Sequence, residues 1–136
     1  MKFREQEARL SRINTSDPTY RITTRTRTDD LVASIESLGL LNPPVLLDTP
    51  AERVVVSGFR RIAACRALNW SAIAVRILDV RTPLYDCARY AIAANALERP
   101  LNLIEQSRAL CLLSKHGPPD SERFSASAAE LGLPDN

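Results

Sequence analysis

The chain has 136 residues, 45% hydrophobic and 25% charged, which suits one packed domain and excludes wholesale disorder. Lys+Arg 18 against Asp+Glu 16 leaves a net charge of +2, so any hold on a polyanion must come from local clustering. No apolar run approaches the roughly 20 residues that span a bilayer. The opening MKFREQEARL carries no hydrophobic stretch of the secretory kind, so a cytoplasmic protein is expected. The cysteines at 65, 87 and 111 have neither CxxC nor metal-ligand spacing and read as reduced thiols. A lone His116 beside Gly117 and Pro118 makes no zinc site by itself and reads as a solvated helix-end residue.

In chain order, residues 1–12 are charged and expected to fray, joining a first short strand near Leu10–Ile13. A polar stretch, Asn14 to Thr28, interleaves Arg21, Arg25 and Arg27 with threonines and shows no apolar face; it reads as a solvated loop or a flexible phosphate-contacting segment. Asp29 and Asp30 open a helix carrying Leu31, Ile35 and Leu38 at helical spacing, and Gly39 ends it. Pro43-Pro44 launches a strand over Val45–Asp48, and Arg53–Ser57, with three valines, is a buried strand. Residues 59–68 read as a helix with Ile62, Cys65 and Leu68 on one face, stopped near Asn69. Ile73–Leu78 alternates as a strand, and helices follow at about Pro83–Leu97 and about Leu103–Ser114. HGPPD is a linker, and Phe124–Leu131 reads as a last helix. The order predicts an α+β layer, a small mixed sheet with packed helices and a helical tail.

The sharpest local feature is VVVSGFRRIAACRAL, where a buried strand meets Ser57-Gly58 and a helix begins at once. A helix N-terminus offers unpaired N–H groups and partial positive charge. Ser57 is placed to cap the helix or donate to an anion, and Gly58 to let a ligand approach the backbone. Arg60 and Arg61 put two more positive charges where acids are preferred, which points to a bound anion, phosphate being the natural one. The alternative is a pair of solvated arginines. In NALERPLNLIEQ, Asn102 and Glu105 form a capping box, so both are structural. Asn95 either bonds a ligand or caps its own helix end.

Three stretches in order, LVASIESLGLLNPPVLL, VVVSGFRRIAACRALNW and NALERPLNLIEQ, resemble the N-terminal domain of ParB-type chromosome- and plasmid-partition proteins, which is similar in fold to sulfiredoxin. The resemblance implies a bacterial DNA-associated protein whose domain binds CTP with magnesium, works as a homodimer and meets a partner ATPase. It implies a division into an arm and first strand (1–28), a nucleotide-binding domain (29–115), and a linker with the truncated start of a helix-turn-helix (116–136). SASAAELGLP resembles that start, so the chain is expected to be a fragment, with DNA reading in the missing C-terminal part. Carried over by position, Asn42, Pro43, Pro44, Val45 and Leu46 resemble the wall that meets the base. Ser57, Gly58, Arg60 and Arg61 resemble the phosphate loop, with Arg25 and Thr26 in a looser phosphate segment. Asn95, with Arg99 nearby, resembles the second phosphate and metal motif.

The chain departs from the family pattern at Phe59 and Ala94, where glutamates are expected, and at Glu98, where an arginine is expected. Losing a carboxylate beside a triphosphate weakens a magnesium site, so at most a weak CTPase is expected. Sulfiredoxin chemistry is disfavoured, because SGFRR holds no cysteine. Two rival readings stay open: a ParB-like nuclease or other phosphoryl-transfer enzyme, with only Glu52 and Glu98 as carboxylates, and a degenerate module that dimerises or holds a partner without nucleotide.

Overall fold

The computed structural model describes residues 2–116. In chain order it forms β1 (Phe3–Arg9), a 3-10 turn (Leu10–Arg12), β2 (Ile13–Asn14), α1 (Asp29–Leu38), β3 (Val45–Asp48), β4 (Arg53–Ser57), α2 (Phe59–Ala67), β5 (Ala72–Leu78), α3 (Leu84–Ala96) and α4 (Leu103–His116). The expected tail helix, Phe124–Leu131, lies outside the described residues.

The strands make one mixed sheet in the order β1-β5-β3-β4-β2. β3 runs parallel to β5 and antiparallel to β4, while β1 is antiparallel to β5 and β2 parallel to β4. The two central strands bury both faces, which is why Val54, Val55 and Val56 follow one another without a polar break. Val45, Leu47, Val54 and Val56 face a core with Ala88, Ile92 and Leu113 of α3 and α4. Leu46 and Val55 face the other core, with Ile35 of α1 and Ile62 and Cys65 of α2. Helices thus cover both faces of the sheet, as the α+β reading requires.

The N-terminal stretch differs from expectation. Residues 3–9 do not fray but pair with β5 along their whole length, and Leu10–Arg12 is a turn rather than the start of a strand. The strand was hidden because only Ala8 of β1 is buried; its stability comes from the ladder and from cross-strand contacts such as Arg76 with Glu5 at 3.6 Å. Residues 3–14 supply both edges of the sheet. Lying flat, five strands separate their edges by about 19 Å, whereas the link between Arg9 and Ile13 reaches at most about 14 Å. The sheet must therefore coil. Arg66 of α2 pins the crossing, donating to the carbonyls of Leu10 and Ile13, both at 2.9 Å, and to Thr15 Oγ1 at 2.6 Å.

Helix ends follow local chemistry. Asp29 and Asp30 occupy the first turn of α1, and Gly39 closes it at φ 81°. Asn69, at φ 59°, ends the α2 segment. His116 is the last residue of α4, as expected, but is half-buried rather than fully solvated: its ring stacks on buried Tyr20 at 6.1 Å, and burial lowers its pKa. No described helix is long and apolar enough to cross a membrane.

Truncating Arg66 strands two carbonyls. Arg66→Ala is expected to cost about 1–3 kcal/mol in urea unfolding, with Arg66→Lys restoring only part because it lacks the fork of donors.

Candidate phosphate-binding cleft

The β4–α2 junction owes its geometry to Gly58. This residue is the N-cap of α2 at φ 104°, in the left-handed region that side chains avoid. A Cβ there would lie 2.8 Å from Pro44 Cβ and 3.0 Å from Pro44 Cα. Glycine is required so that α2 can sit directly on the residue that leads into β3. Its expected role, admitting a ligand to the backbone, is taken on that side by Pro44. Ser57 does not cap the helix: no side chain does, and Ser57 is itself buried. The first intrahelical bond runs from Ile62 N–H to the Gly58 carbonyl, so the N–H groups of Phe59, Arg60 and Arg61 have no partner within the helix. The first turn of α2 holds no acid.

This helix end faces a small cleft of about 80 Å³, closed on its other sides by the end of α3 and by the 22–25 segment. Arg25, Arg60, Arg61 and Arg99 line it, against a single carboxylate, Glu98. The arginines are not equivalent. Arg99 is locked to the fully buried Glu105 by bonds of 2.7 and 2.6 Å, so its charge is matched internally. Arg60 donates to the Arg27 carbonyl at 3.1 and 2.7 Å and meets exposed Asp30 at 3.3 Å. Arg61 donates only to neutral oxygens, the Asn42 carbonyl at 2.5 Å and Ser57 Oγ at 3.4 Å. Burial pushes its pKa down, with the charge of Glu98 opposing from a distance. A half-buried guanidinium with no carboxylate hydrogen-bonded to it is the least compensated of the held charges in the cleft.

The polar stretch 20–28 is neither free of apolar faces nor loose. Tyr20 and Ile22 are buried in the core. Glu105 accepts Thr24 N–H at 2.9 Å, Asn102 Nδ2 donates to Thr24 Oγ1 at 2.9 Å, and Arg108 donates to the Thr23 carbonyl at 3.0 Å. The stretch is a strap fastened to α4 on one side and, through Arg60, to α2 on the other. Arg25 reaches the cleft from it, while Thr26 is exposed on its outer surface.

The remaining expected residues separate into two groups. Val45 and Leu46 are 1% and 0% exposed in the central strand, so their side chains are withdrawn from any base contact. Pro44 is buried against Gly58; Asn42 and Pro43 stay at the surface or partly so, and Asn42 reaches the site through its carbonyl. Asn95 lines the cleft, but its Nδ2 donates back to the Ala91 carbonyl at 2.7 Å. Phe59 and Ala94 line it too, with Arg21 5.5 Å over the Phe59 ring. For magnesium the cleft offers one exposed carboxylate, Glu98, and an Asn95 amide whose nitrogen is turned back onto its own helix, so waters and ligand phosphates would have to supply most of the oxygens. Glu52 lies in the β3–β4 turn and does not line the cleft.

Glu105 was legible as the capping-box partner of Asn102, and its carboxylate does accept Asn102 N–H at 3.1 Å while Asn102 Oδ1 accepts Glu105 N–H at 2.8 Å. Its second task, tying Arg99 and Thr24 together, has no local signal because Thr24 is remote in sequence. The same holds for Asp30, which reads locally as a helix opener and nothing more.

No family model matches the sequence, and no curated protein does. Solved structures do. The pNOB8-like ParB N-domain aligns with a TM-score of 0.63 at 14% identity over 95% of this chain and 49% of its own. The chromosome-partitioning protein ParB from Caulobacter crescentus, complexed with CTP-γ-S, aligns with a TM-score of 0.58 at 21% identity, over 96% and 72%. The same protein complexed to the centromeric parS site gives 0.53 at 18% identity, over 96% and 66%. A coiled mixed sheet with helices on both faces and a basic helix end at one edge is the class of fold defined here. The chain has the ParB N-terminal domain fold, and it spans about half the length of the pNOB8-like chain.

Two outcomes test this geometry. Gly58→Ala is expected to lower stability by about 1–3 kcal/mol in thermal unfolding, through the strained φ and the contact with Pro44. The Arg99 bonds, followed by the Thr24 and Asn102 N–H groups, hold the Glu105 pKa at about 2, below its ordinary 4.5. A lowered folded-state pKa adds stability that is complete above about pH 4.5 and is lost as pH falls toward 2. Glu105→Gln should remove that pH-dependent component from acid unfolding curves, and Glu105→Ala should cost about 3–5 kcal/mol at neutral pH.

Proposed function

We propose that this is a ParB-like nucleotide-binding regulatory domain, with phosphate seated at the N-terminus of α2. The observation that carries the reading is Arg61, a half-buried guanidinium held only by neutral oxygens beside helix N–H groups with no partner in the helix. Phosphate supplies the charge this arrangement lacks. Arg25 adds charge from the strap, and Arg60 stands at the mouth. CTP is the nucleotide we assign, by analogy with the Caulobacter crescentus ParB complexed with CTP-γ-S. The parS complex of that protein supports DNA as the partner of the larger protein in chromosome or plasmid partition; that it works as a homodimer with a partition ATPase is proposed from the family resemblance alone.

Binding without hydrolysis is the reading the donors support, since the cleft offers Glu98 alone as a carboxylate. The nuclease alternative has the same weakness: Glu98 is the single carboxylate lining the cleft with Arg61, not a metal-binding set.

Calorimetry with CTP, and with ATP, GTP, UTP and inorganic tripolyphosphate for comparison, is the test. CTP is expected to bind, and Arg61→Ala to weaken it at least tenfold, about 1.4 kcal/mol. If nothing binds at millimolar concentration, the domain is a docking or dimerisation module instead.

A further inference from the structure

The cleft beside Arg61, about 80 Å³, suits a phosphate group but not a whole nucleotide, whose pockets run roughly 300–1,000 Å³. A second hollow of about 530 Å³ lies on the outer side of the strap, lined by residues from Thr24 to Asp30 and by Arg60. Only Arg25 and Arg60 line both spaces. Arg25 is exposed, whereas the Arg60 side chain is 18% exposed and held in place by the Arg27 carbonyl and by Asp30. Arg60 is therefore the one firmly held side chain shared by the inner cleft and the outer hollow.

We propose that Arg60 is a gate, latched by the Asp30 carboxylate and the Arg27 carbonyl, and that a ligand phosphate opens it by replacing both as the partner of the guanidinium. Once the side chain leaves its latch, the phosphate-sized inner cleft opens onto the outer hollow, which is itself of nucleotide size. Phosphate then occupies the α2 end, and the rest of the ligand lies over the strap. The latch is weak by construction. Asp30 is 77% exposed and bonds through one oxygen at 3.3 Å, so a dianionic phosphate outcompetes it. This inference rests on the nucleotide reading above, but its sign is its own. Asp30 is a positioning residue that opposes binding, and removing it should tighten the complex.

The chain carries its own control. Asp29, next in sequence, lines the same outer hollow and bears the same charge, but it pairs with Arg27 at 3.4 Å and does not touch Arg60. Calorimetry and stopped-flow binding of CTP would compare Asp30→Asn, Asp29→Asn and Asp30→Glu, with thermal unfolding confirming that each folds. Asp30→Asn is expected to tighten binding about two- to fivefold, through faster association. Asp29→Asn should change it less than about 1.5-fold, the remote charge being screened, and Asp30→Glu should restore the wild-type value. Equal gains from both Asn variants would reduce the effect to net charge and overturn the gate, as would unchanged or weaker binding by Asp30→Asn while the wild type binds. If the wild type takes no nucleotide but Asp30→Asn does, the gate stands. If neither binds, both it and the nucleotide reading fall.

Discussion

The contact between Gly58 and Pro44 sets the position of everything near the cleft. A helix that follows a strand with no intervening loop must turn within one residue, and here it turns against a proline that cannot move without disturbing β3. Only a residue without a side chain satisfies both demands. The result is an α2 whose first turn is fixed relative to the central strands, with its N-terminal end on the cleft that half-buried Arg61 lines. Two arginines in that turn run against the preference for acids at a helix start. The fold carries that cost at the helix end that faces the inner cleft, whereas the first turn of α1, which borders the outer hollow, uses two aspartates.

A second constraint acts from α4. Glu105 is a fully buried carboxylate, and its oxygens are satisfied by groups from the α3–α4 connection, from the strap and from its own helix start. Such a residue makes three segments move as one. It also explains why Arg99, which by position joins the phosphate-binding group, contributes less charge to the cleft than its neighbours. Its partner is already built in, and an incoming phosphate would have to compete with a bidentate pair in the protein interior.

The elements read most accurately were those whose burial alternates or saturates locally. β3 and β4 matched residue for residue, because apolar runs flanked by Pro and Gly leave few other conformations. β1 was missed because its stability lies in a partner strand and not in its own pattern. At the site, Arg60, Arg61 and Gly58 stood out because they sit side by side at a strand-to-helix junction. Which arginine is paired, and with what, depends on Asp30, Asn42 and Glu105, contributed by other segments, and local spacing carries no record of that. Val45 and Leu46 were placed at the base wall from position within a motif. Their place at the centre of the sheet, with both neighbours hydrogen-bonded, turns their side chains into the two cores instead.

The coiling of the sheet has a consequence for how the protein is made. Residues 3–14 close the two flanks of the sheet, yet their hydrogen-bonding mates, Arg53–Val54 and Ala72–Leu78, are synthesised well after them. Until then the amino-terminal stretch has nothing to dock on, and closing so long a loop makes it a late event in assembly. A nascent or proteolysed chain without that stretch would hold β5, β3 and β4 as a bare three-stranded ribbon, open on both sides to a neighbour's backbone. The polar, sparsely buried FREQEAR segment thus serves as a cover that keeps such ribbons from adding to one another.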